Sequence, residues 1–147
     1  MFEKPEYIHG KNYIDERGVI SFVNDFYLEQ VKRFYIIEPA DMHSVRAWQG
    51  HKKEQKWFCV ISGSFIIAVV RPDDWENPSS NLEVKEFVLA HNSIGVLHIP
   101  GGYANGFKAL EPRSKVIVFS DFTTEQSSND SFRFDQSLWH DWNKISI

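Results

Sequence analysis

The sequence has only one cysteine, Cys59, among its 147 residues. One cysteine excludes an intrachain disulfide, so the fold has to be stabilised by noncovalent contacts. A domain of this length buries roughly 68–70% of the surface that its unfolded chain exposes, which is enough for a core without such crosslinks. Cys59 lies in an apolar run and is therefore interpreted as a buried core thiol. A chain without disulfides is typical of the cytosol.

Positive charge and long hydrophobic runs are scarce as well. The chain has 16 Lys and Arg against 20 Asp and Glu, a formal net charge of −4 and a pI of about 5.8. Without a basic stripe, a nucleic-acid partner is not expected. No apolar run approaches the ~18 residues that a membrane helix needs, and residues 1–6 contain no apolar signal segment. We therefore expect a cytoplasmic protein with no membrane partner.

Internal repeats, low-complexity tracts and linkers are absent too, so residues 1–147 are expected to form one domain. Short β-rich runs recur with turn signals between them, which is typical of an all-β sandwich or barrel. The predicted strands are residues 31–37, 56–61, 65–70, 84–89, 94–99 and 115–119.

The remaining segments are expected to be mostly turns and loops. The polar loop at residues 71–81 contains Trp75, which is either a lid over a site or an anchor for the loop. A short helix is expected only in residues 136–144. The predicted turns are residues 62–64, 90–93, 101–106, and the beginning of 13–24, where a further strand follows the turn.

Residues 45–55 carry the first polar motif, VRAWQGHKKEQ. Gln49 and His51 are two positions apart, so on a strand both side chains lie on one face. Strict alternation places Arg46 on the opposite face, where it is a surface arginine. A β-bulge would instead bring it beside Gln49 and His51, where its guanidinium would clamp an anion such as a phosphate.

The second polar motif is IPGGYANGF, at residues 99–107. Its glycines make it either a structural turn or a place where a ligand approaches the main chain. His98 precedes it in an apolar strand, and is either a satisfied interior or edge histidine or a residue at the mouth of a barrel. Near the amino terminus, residues 15–18 (DERG) predict a turn that contains Arg17.

Taken in order, these segments resemble the dTDP-4-dehydrorhamnose 3,5-epimerases and the neighbouring dTDP-sugar 3,4-ketoisomerases, both of which are cupins. The resemblance extends over residues 13–142 and implies an all-β cupin β-sandwich, or jelly roll, that forms a homodimer. The segments that carry it are residues 15–18, 45–55, 60–64, 66–71, 99–107, 120–122 and 132–142.

Several residues typical of these enzymes are replaced in this chain. The general-base histidine of the epimerases falls at Gln49, and the His-x-His-Lys motif of the ketoisomerases keeps only its second histidine, His51. The general-acid tyrosine of the epimerase Asp-Tyr-Tyr segment is Phe122 here, and the last cupin histidine is Asn105. The double epimerisation of the parent enzymes is therefore not expected.

The resemblance implies an isomerase or epimerase of a nucleotide-linked, dTDP-type 4-keto-6-deoxy sugar. His51 is expected to move the proton, because the pKa of an imidazole lies near working pH. No cofactor is expected, since the ketone of the substrate stabilises the carbanion. No metal is expected either, because Gln49, Gln55 and Asn105 put amides at three of the four cupin ligand positions. The residues expected at the substrate are Arg17 and Arg46 at the diphosphate, with Gln49, Gln55, His98, Tyr103 and Asn105.

Two other functions stay open at this point. The first is a non-catalytic cupin that binds a sugar or a nucleotide sugar, which the altered catalytic positions favour. The second is a metal-dependent cupin acting on a small molecule. Metal analysis of the purified protein, and deuterium wash-in to a keto-sugar nucleotide, separate the three functions.

Overall fold

The computed structural model describes residues 3–144, and β-strands dominate them. The strands are β1 (Glu6–His9), β2 (Lys11–Asp15), β3 (Gly18–Phe22), β4 (Arg33–Ile37), β5 (Val45–His51), β6 (Lys56–Ser62), β7 (Ser64–Val70), β8 (Val84–Ala90), β9 (Gly95–Ile99), β10 (Tyr103–Ala109), β11 (Lys115–Ser120) and β12 (Phe132–Arg133). The one helix within these residues is α1 (Thr124–Ser128). No helix in this part of the chain is long and apolar enough to cross a membrane.

The strands form two five-stranded antiparallel sheets that face each other. Sheet one has the order β1-β9-β6-β11-β4, and sheet two has the order β12-β5-β10-β7-β8. Strands β2 and β3 pair only with each other and form a separate hairpin. The predicted fold class, an all-β cupin sandwich, is confirmed.

The main core lies between the two sheets because alternate residues of each strand point inward. Strand β7 supplies Phe65, Ile67 and Val69 to it, and β6 supplies Phe58 and Val60. All five of these side chains are buried. Full burial of each such side chain stabilises the fold by about 1.5–3 kcal/mol, so this layer is the main source of stability.

The outer faces of the sheets are covered as well. The carboxy-terminal segment lays Trp142 over the outer side of sheet two, where it meets Trp48 of β5 and Ile66 of β7. Cys59 lies on the outer side of sheet one beside Trp57. Burial raises the pKa of the Cys59 thiol to about 11, so the prediction of a buried core thiol is confirmed.

Three local predictions are wrong. The turn expected at the beginning of residues 13–24 starts only at residue 16, because residues 13–15 belong to β2. Residues 101–106 are not a turn throughout, because β10 already begins at Tyr103 and its residues pair with both β5 and β7. Residues 136–144 contain no helix in the structure. The helix lies instead at Thr124–Ser128, where Thr123 and Gln126 form a reciprocal capping box that satisfies the first free backbone N–H groups.

Candidate functional site

Strand β5 carries a bulge that reorients its first polar residues. Gln49 pairs with Asn105 of β10, whereas Arg46 pairs with Phe107. Three steps along β5 therefore match two steps along β10, and the extra residue lies at the cis peptide bond of Ala47–Trp48. A bulge of this kind turns a side chain to the other face. Arg46 consequently lies at the same cavity as Gln49, although its side chain stays exposed to solvent.

A cavity of about 380 Å³ opens between the sheets at this bulge. We call it the sandwich cavity. Its volume lies within the roughly 300–1,000 Å³ that small-molecule sites occupy. Its polar side chains are the cations Arg46, Lys56 and Arg133 and the amides Gln49 and Asn105. The remaining lining residues are Tyr35, Ile37, Val45, Ala47, Trp48, Phe58, Phe107 and Phe134.

The charge inside the sandwich cavity is of one sign. Among the described lining residues the charged side chains are all basic, and Lys56 is itself buried. The Lys56 ammonium lies 5.8 Å from the centre of the Tyr35 ring. A guanidinium group makes two parallel hydrogen bonds to the oxygens of a phosphate, and aromatic rings stack on a flat heterocycle. The cavity is therefore suited to an anion that carries an apolar or aromatic group.

His51 lies on the same side of β5 as Gln49 but is only 3% exposed. Its Nδ1 lies 2.8 Å from the Asp130 carbonyl oxygen and 3.2 Å from Glu54 Oε1. Because a carbonyl only accepts, Nδ1 carries the hydrogen and Nε2 keeps its lone pair. Nε2 is buried and has no hydrogen-bond partner among the described residues.

The environment of His51 keeps the imidazole neutral. Burial lowers the pKa of His51 first, and the nearby Lys56 ammonium lowers it further. Glu54 and Asp130 act in the opposite direction without reversing the shift of the pKa. A neutral imidazole with a free lone pair is a base, but His51 is not among the described lining residues of the sandwich cavity.

The loop that follows His51 is held in place by one carboxylate. Asp130 accepts the backbone N–H groups of Lys52 and Lys53 at 2.9 Å and of Glu54 at 2.8 Å. Hydrogen bonds to a charged acceptor are stronger than neutral ones. The Asp130 side chain thus fixes the loop, while the backbone carbonyl of the same residue fixes the His51 ring.

Gln55 and His98 lie at a different place, on the outer side of sheet one. His98 Nε2 is 2.7 Å from Gln55 Oε1, and Gln55 Nε2 donates to Asp121 at 3.1 Å. The His98 ring stacks on Trp57 at 5.0 Å, and burial is the main cause that lowers the pKa of His98. Both residues border a separate hollow of about 330 Å³, so the structure does not bring them together with Gln49.

Arg17 and Tyr103 are also outside the described lining of the sandwich cavity. Arg17 lies at the tip of the β2–β3 hairpin, 78% exposed and 2.7 Å from Asp15. Tyr103 pairs in register with His51, and its hydroxyl donates to the Glu3 carbonyl at 2.9 Å. Of the residues predicted at the substrate, only Arg46, Gln49 and Asn105 meet in the cavity.

Trp75 is an anchor rather than a lid. Its ring packs 5.0 Å from Phe132 and 6.0 Å from Phe134. A Cβ atom at Gly50 would come within 2.7 Å of the Trp75 ring, so glycine at this position allows the contact. The loop at residues 71–81 is thereby fixed against the outer side of sheet two.

Sequence reasoning missed Lys56, Arg133 and Glu54. A signal existed for Lys56, because it begins a predicted strand two residues before Phe58 and so shares its inward face. Arg133 offered no such signal, since it reaches the site through a two-residue strand that pairs with Gln49. Residues 3–144 contain no group of three His, Cys, Asp or Glu side chains placed to hold a metal ion. Metal content itself stays a prediction.

The sequence matches no known family model and no curated protein. Solved structures match it in fold. The sugar 3,4-ketoisomerase QdtA from Thermoanaerobacterium thermosaccharolyticum, solved in complex with TDP, is 21% identical with a TM-score of 0.70, over 91% of this chain and 90% of that one. A dTDP sugar isomerase from Desulfovibrio desulfuricans is 18% identical with a TM-score of 0.75, over 98% and 94%.

An epimerase, rmlC from Mycobacterium tuberculosis, also matches, with 16% identity and a TM-score of 0.76 over 96% of this chain and 75% of that one. The TM-scores establish a common fold, whereas identities this low do not establish a common chemistry. The chain therefore has the cupin fold that solved dTDP-sugar 3,4-ketoisomerases and dTDP-4-dehydrorhamnose 3,5-epimerases share.

Proposed function

We propose that this chain is a cytoplasmic isomerase or epimerase of a dTDP-linked 4-keto-6-deoxy sugar. The observation that carries the proposal is the meeting of Arg46, Lys56 and Arg133 in one cavity between the sheets. A nucleoside diphosphate provides the negative charge that such a cavity accepts. The shared fold with solved TDP-bound ketoisomerases supports the choice of nucleotide.

Each part of the sandwich cavity has a role in this proposal. Arg46 and Arg133 bind the diphosphate, because guanidinium groups make paired hydrogen bonds to phosphate oxygens. Gln49 and Asn105 orient the sugar, since an amide both donates and accepts hydrogen bonds. Lys56 stabilises the negative charge that develops on the ketone oxygen, as a cation in a water-poor site does.

The chemical step is a proton transfer through His51. Its Nε2 removes the hydrogen on the carbon next to the ketone, and the electron pair of that bond moves into an enolate. In a shift of the ketone, the imidazolium returns the proton on the same face to the former ketone carbon, while the neighbouring hydroxyl passes its proton to the former ketone oxygen. In an epimerisation, a solvent proton reaches the same carbon from the opposite face, and the imidazolium later gives up its proton to solvent. One base suits a single epimerisation or a 1,2-shift. The step requires the sugar to reach Nε2, which is buried and belongs to a residue outside the described lining of the cavity.

A binding test and an isotope test examine this function together. Thymidine diphosphate is expected to raise the melting temperature, whereas the free deoxysugar is not. At ~100 times its dissociation constant a ligand adds about 2.7 kcal/mol to stability. In heavy water, dTDP-4-keto-6-deoxyglucose is expected to gain deuterium next to its ketone. Absence of both effects would refute the proposal.

One observation favours a second candidate, binding without turnover. His51 is buried and is not among the described residues that line the sandwich cavity, so a ligand can be held by the cations without touching the base. This candidate predicts the melting shift with thymidine diphosphate and no deuterium in the sugar. The isotope test therefore distinguishes the two functions directly.

We further propose that the protein is a homodimer. The β2–β3 hairpin exposes four apolar side chains, Tyr13, Ile14, Val19 and Ile20, each by more than half. Contiguous exposed apolar side chains are typical of surfaces that contact another protein. Packing against a second copy would cover them, and would place Arg17 at that copy.

A further inference from the structure

Glu54 is a charged residue whose side chain is completely buried, with an exposed fraction of 0%. It lies three residues after His51, in the loop between β5 and β6. Removing a carboxylate from water is costly unless other groups pair with it and donate hydrogen bonds. A buried carboxylate at this position therefore needs hydrogen-bond donors and cations around it, and its retention indicates a role.

The partners come from across the molecule. Glu54 Oε2 accepts from the Ser120 hydroxyl at 2.5 Å and from Arg33 Nη2 at 3.2 Å. Glu54 Oε1 accepts from the Ser127 hydroxyl at 2.7 Å and lies 3.2 Å from His51 Nδ1. Both oxygens are thus engaged, one by sheet one and the other by α1 and His51.

Two of these donors belong to one row of sheet one. Arg33 of β4 pairs in register with Ser120 of β11, which pairs with Lys56 of β6. Such cross-strand neighbours share a face of the sheet. The row that binds Glu54 therefore includes Lys56, a lining residue of the sandwich cavity. Glu54 connects the wall of the cavity to His51.

We propose that Glu54 is a positioning residue for His51. The Asp130 carbonyl accepts from Nδ1, and the Glu54 carboxylate lies 3.2 Å from the same nitrogen and favours hydrogen there, so the ring is held with Nε2 as its free nitrogen. The buried, unpartnered Nε2 is the second observation that supports this role, because a buried polar atom without a partner needs an explanation, and a catalytic role is one of them. The role in catalysis rests on the proposed function, whereas the orientation of the ring does not.

The charges around His51 define what Glu54 does during proton transfer. Lys56 faces the ring from β6 and disfavours a positive imidazole, while Glu54 and Asp130 favour it. When Nε2 takes a proton from the sugar, the ring becomes an imidazolium, and the Glu54 carboxylate stabilises that charge. Without Glu54, only Asp130 would offset the effect of the Lys56 ammonium, and the pKa of His51 would be lower.

The first test uses the unaltered protein labelled with ¹⁵N-histidine. NMR correlation through the imidazole ring reports which nitrogen carries the hydrogen. For His51 we expect hydrogen on Nδ1 and none on Nε2 at neutral pH. Hydrogen on Nε2 instead would overturn the proposal, whether or not the protein turns over a sugar.

The second test is Glu54→Gln, which keeps the size and removes the charge. We expect His51 to titrate at lower pH than in the unaltered protein, and deuterium exchange into the keto sugar to fall at least about tenfold. In a serine protease, replacing the carboxylate that is hydrogen-bonded to the catalytic imidazole lowers kcat ~10⁴-fold. An unchanged His51 titration would overturn the proposal.

The matched control is Glu86→Gln. Glu86 lies 3.0 Å from His140 Nε2, so the chain contains a second histidine–carboxylate pair outside the cavity. This variant should leave the titration of His51 and the exchange rate unchanged. If Glu54→Gln does not fold, Ser127→Ala removes one donor to Glu54 and should shift His51 in the same direction by less.

The NMR result separates the positioning role from the proposed function. A His51 titration that moves in Glu54→Gln supports positioning even if the unaltered protein exchanges no substrate hydrogen. In that outcome only the proposed function fails. If exchange falls in Glu54→Gln while the titration and tautomer of His51 stay unchanged, positioning fails and the function stands.

Discussion

At the scale of single residues, the three cations of the sandwich cavity carry the binding claim. Arg46→Gln removes a guanidinium that we expect at the diphosphate, and a hydrogen bond to a charged group contributes about 1.5–3 kcal/mol. Thymidine diphosphate should therefore bind roughly 10–100-fold more weakly, as measured by isothermal titration calorimetry. The matched control is Arg113→Gln, which removes an arginine outside the cavity lining. Equal losses in both variants would mean that binding is nonspecific.

The buried histidines predict a pH dependence of stability. The pKa values of His51 and His98 are both below the ordinary 6.5, chiefly because burial disfavours the charged ring. For each ring, the unfolded chain therefore binds more protons than the folded one at pH values between the folded pKa and the ordinary 6.5. The free energy of unfolding consequently falls as pH drops below 6.5. The carboxyls whose pKa is lowered, such as Asp15, titrate below 3.8 and leave this window free.

Thermal melts between pH 7.5 and 5.5 measure this effect. The melting temperature should fall with pH in the unaltered protein and fall less steeply in His98→Asn, which removes one of the two rings. His43→Asn is the control, because His43 lies on an exposed turn and should leave the slope unchanged. A melting temperature that rises as the pH falls would contradict the assignment of neutral buried imidazoles.

At the scale of elements, the bulge in β5 decides which residues reach the site. The sequence predicted Gln49 and His51 on one face, and it offered Arg46 there only if the strand bulged. The structure has that bulge, and the close approach of β10 requires Gly106 opposite it. A Cβ atom at Gly106 would lie 2.6 Å from the Cβ of Ala47.

Gly106→Ala is therefore expected to destabilise the protein. Overpacking of a tight site costs about 1–3 kcal/mol, which urea unfolding measures. Ala47→Gly removes the Cβ that the new methyl group meets, so the double variant should recover part of the loss. Gly106→Ala with unaltered stability would show that the strands are not packed this closely.

The elements also show which parts of the fold the sequence alone predicts. The six predicted strands are present because β-branched and aromatic runs specify them locally. Strand β10 was missed because Ala104, Asn105 and Gly106 are small or turn-prone, and only pairing with β5 and β7 makes them a strand. The partners of Glu54 lie up to 73 positions away, so no local pattern could reveal them.

At the scale of the whole molecule, the β2–β3 hairpin lies outside the two large sheets and leaves apolar side chains exposed to solvent. A stable interface buries about 800 Å² on each partner. Light scattering should give about twice the 17.2 kDa of one chain. Ile14→Ser combined with Ile20→Ser should shift the mass towards one chain, whereas Val88→Ser, at another exposed apolar position, should not. A monomeric unaltered protein would contradict the dimer.

The central claim is that His51 transfers a proton of a nucleotide-linked keto sugar. Deuterium wash-in to dTDP-4-keto-6-deoxyglucose, compared between the unaltered protein and His51→Asn, tests it most directly. General-base catalysis contributes about 10²–10⁴-fold in rate, and the variant should lose that much while still binding thymidine diphosphate. His140→Asn, which alters a histidine outside the cavity, should exchange normally. Exchange by His51→Asn at the rate of the unaltered protein would show that His51 is not the base.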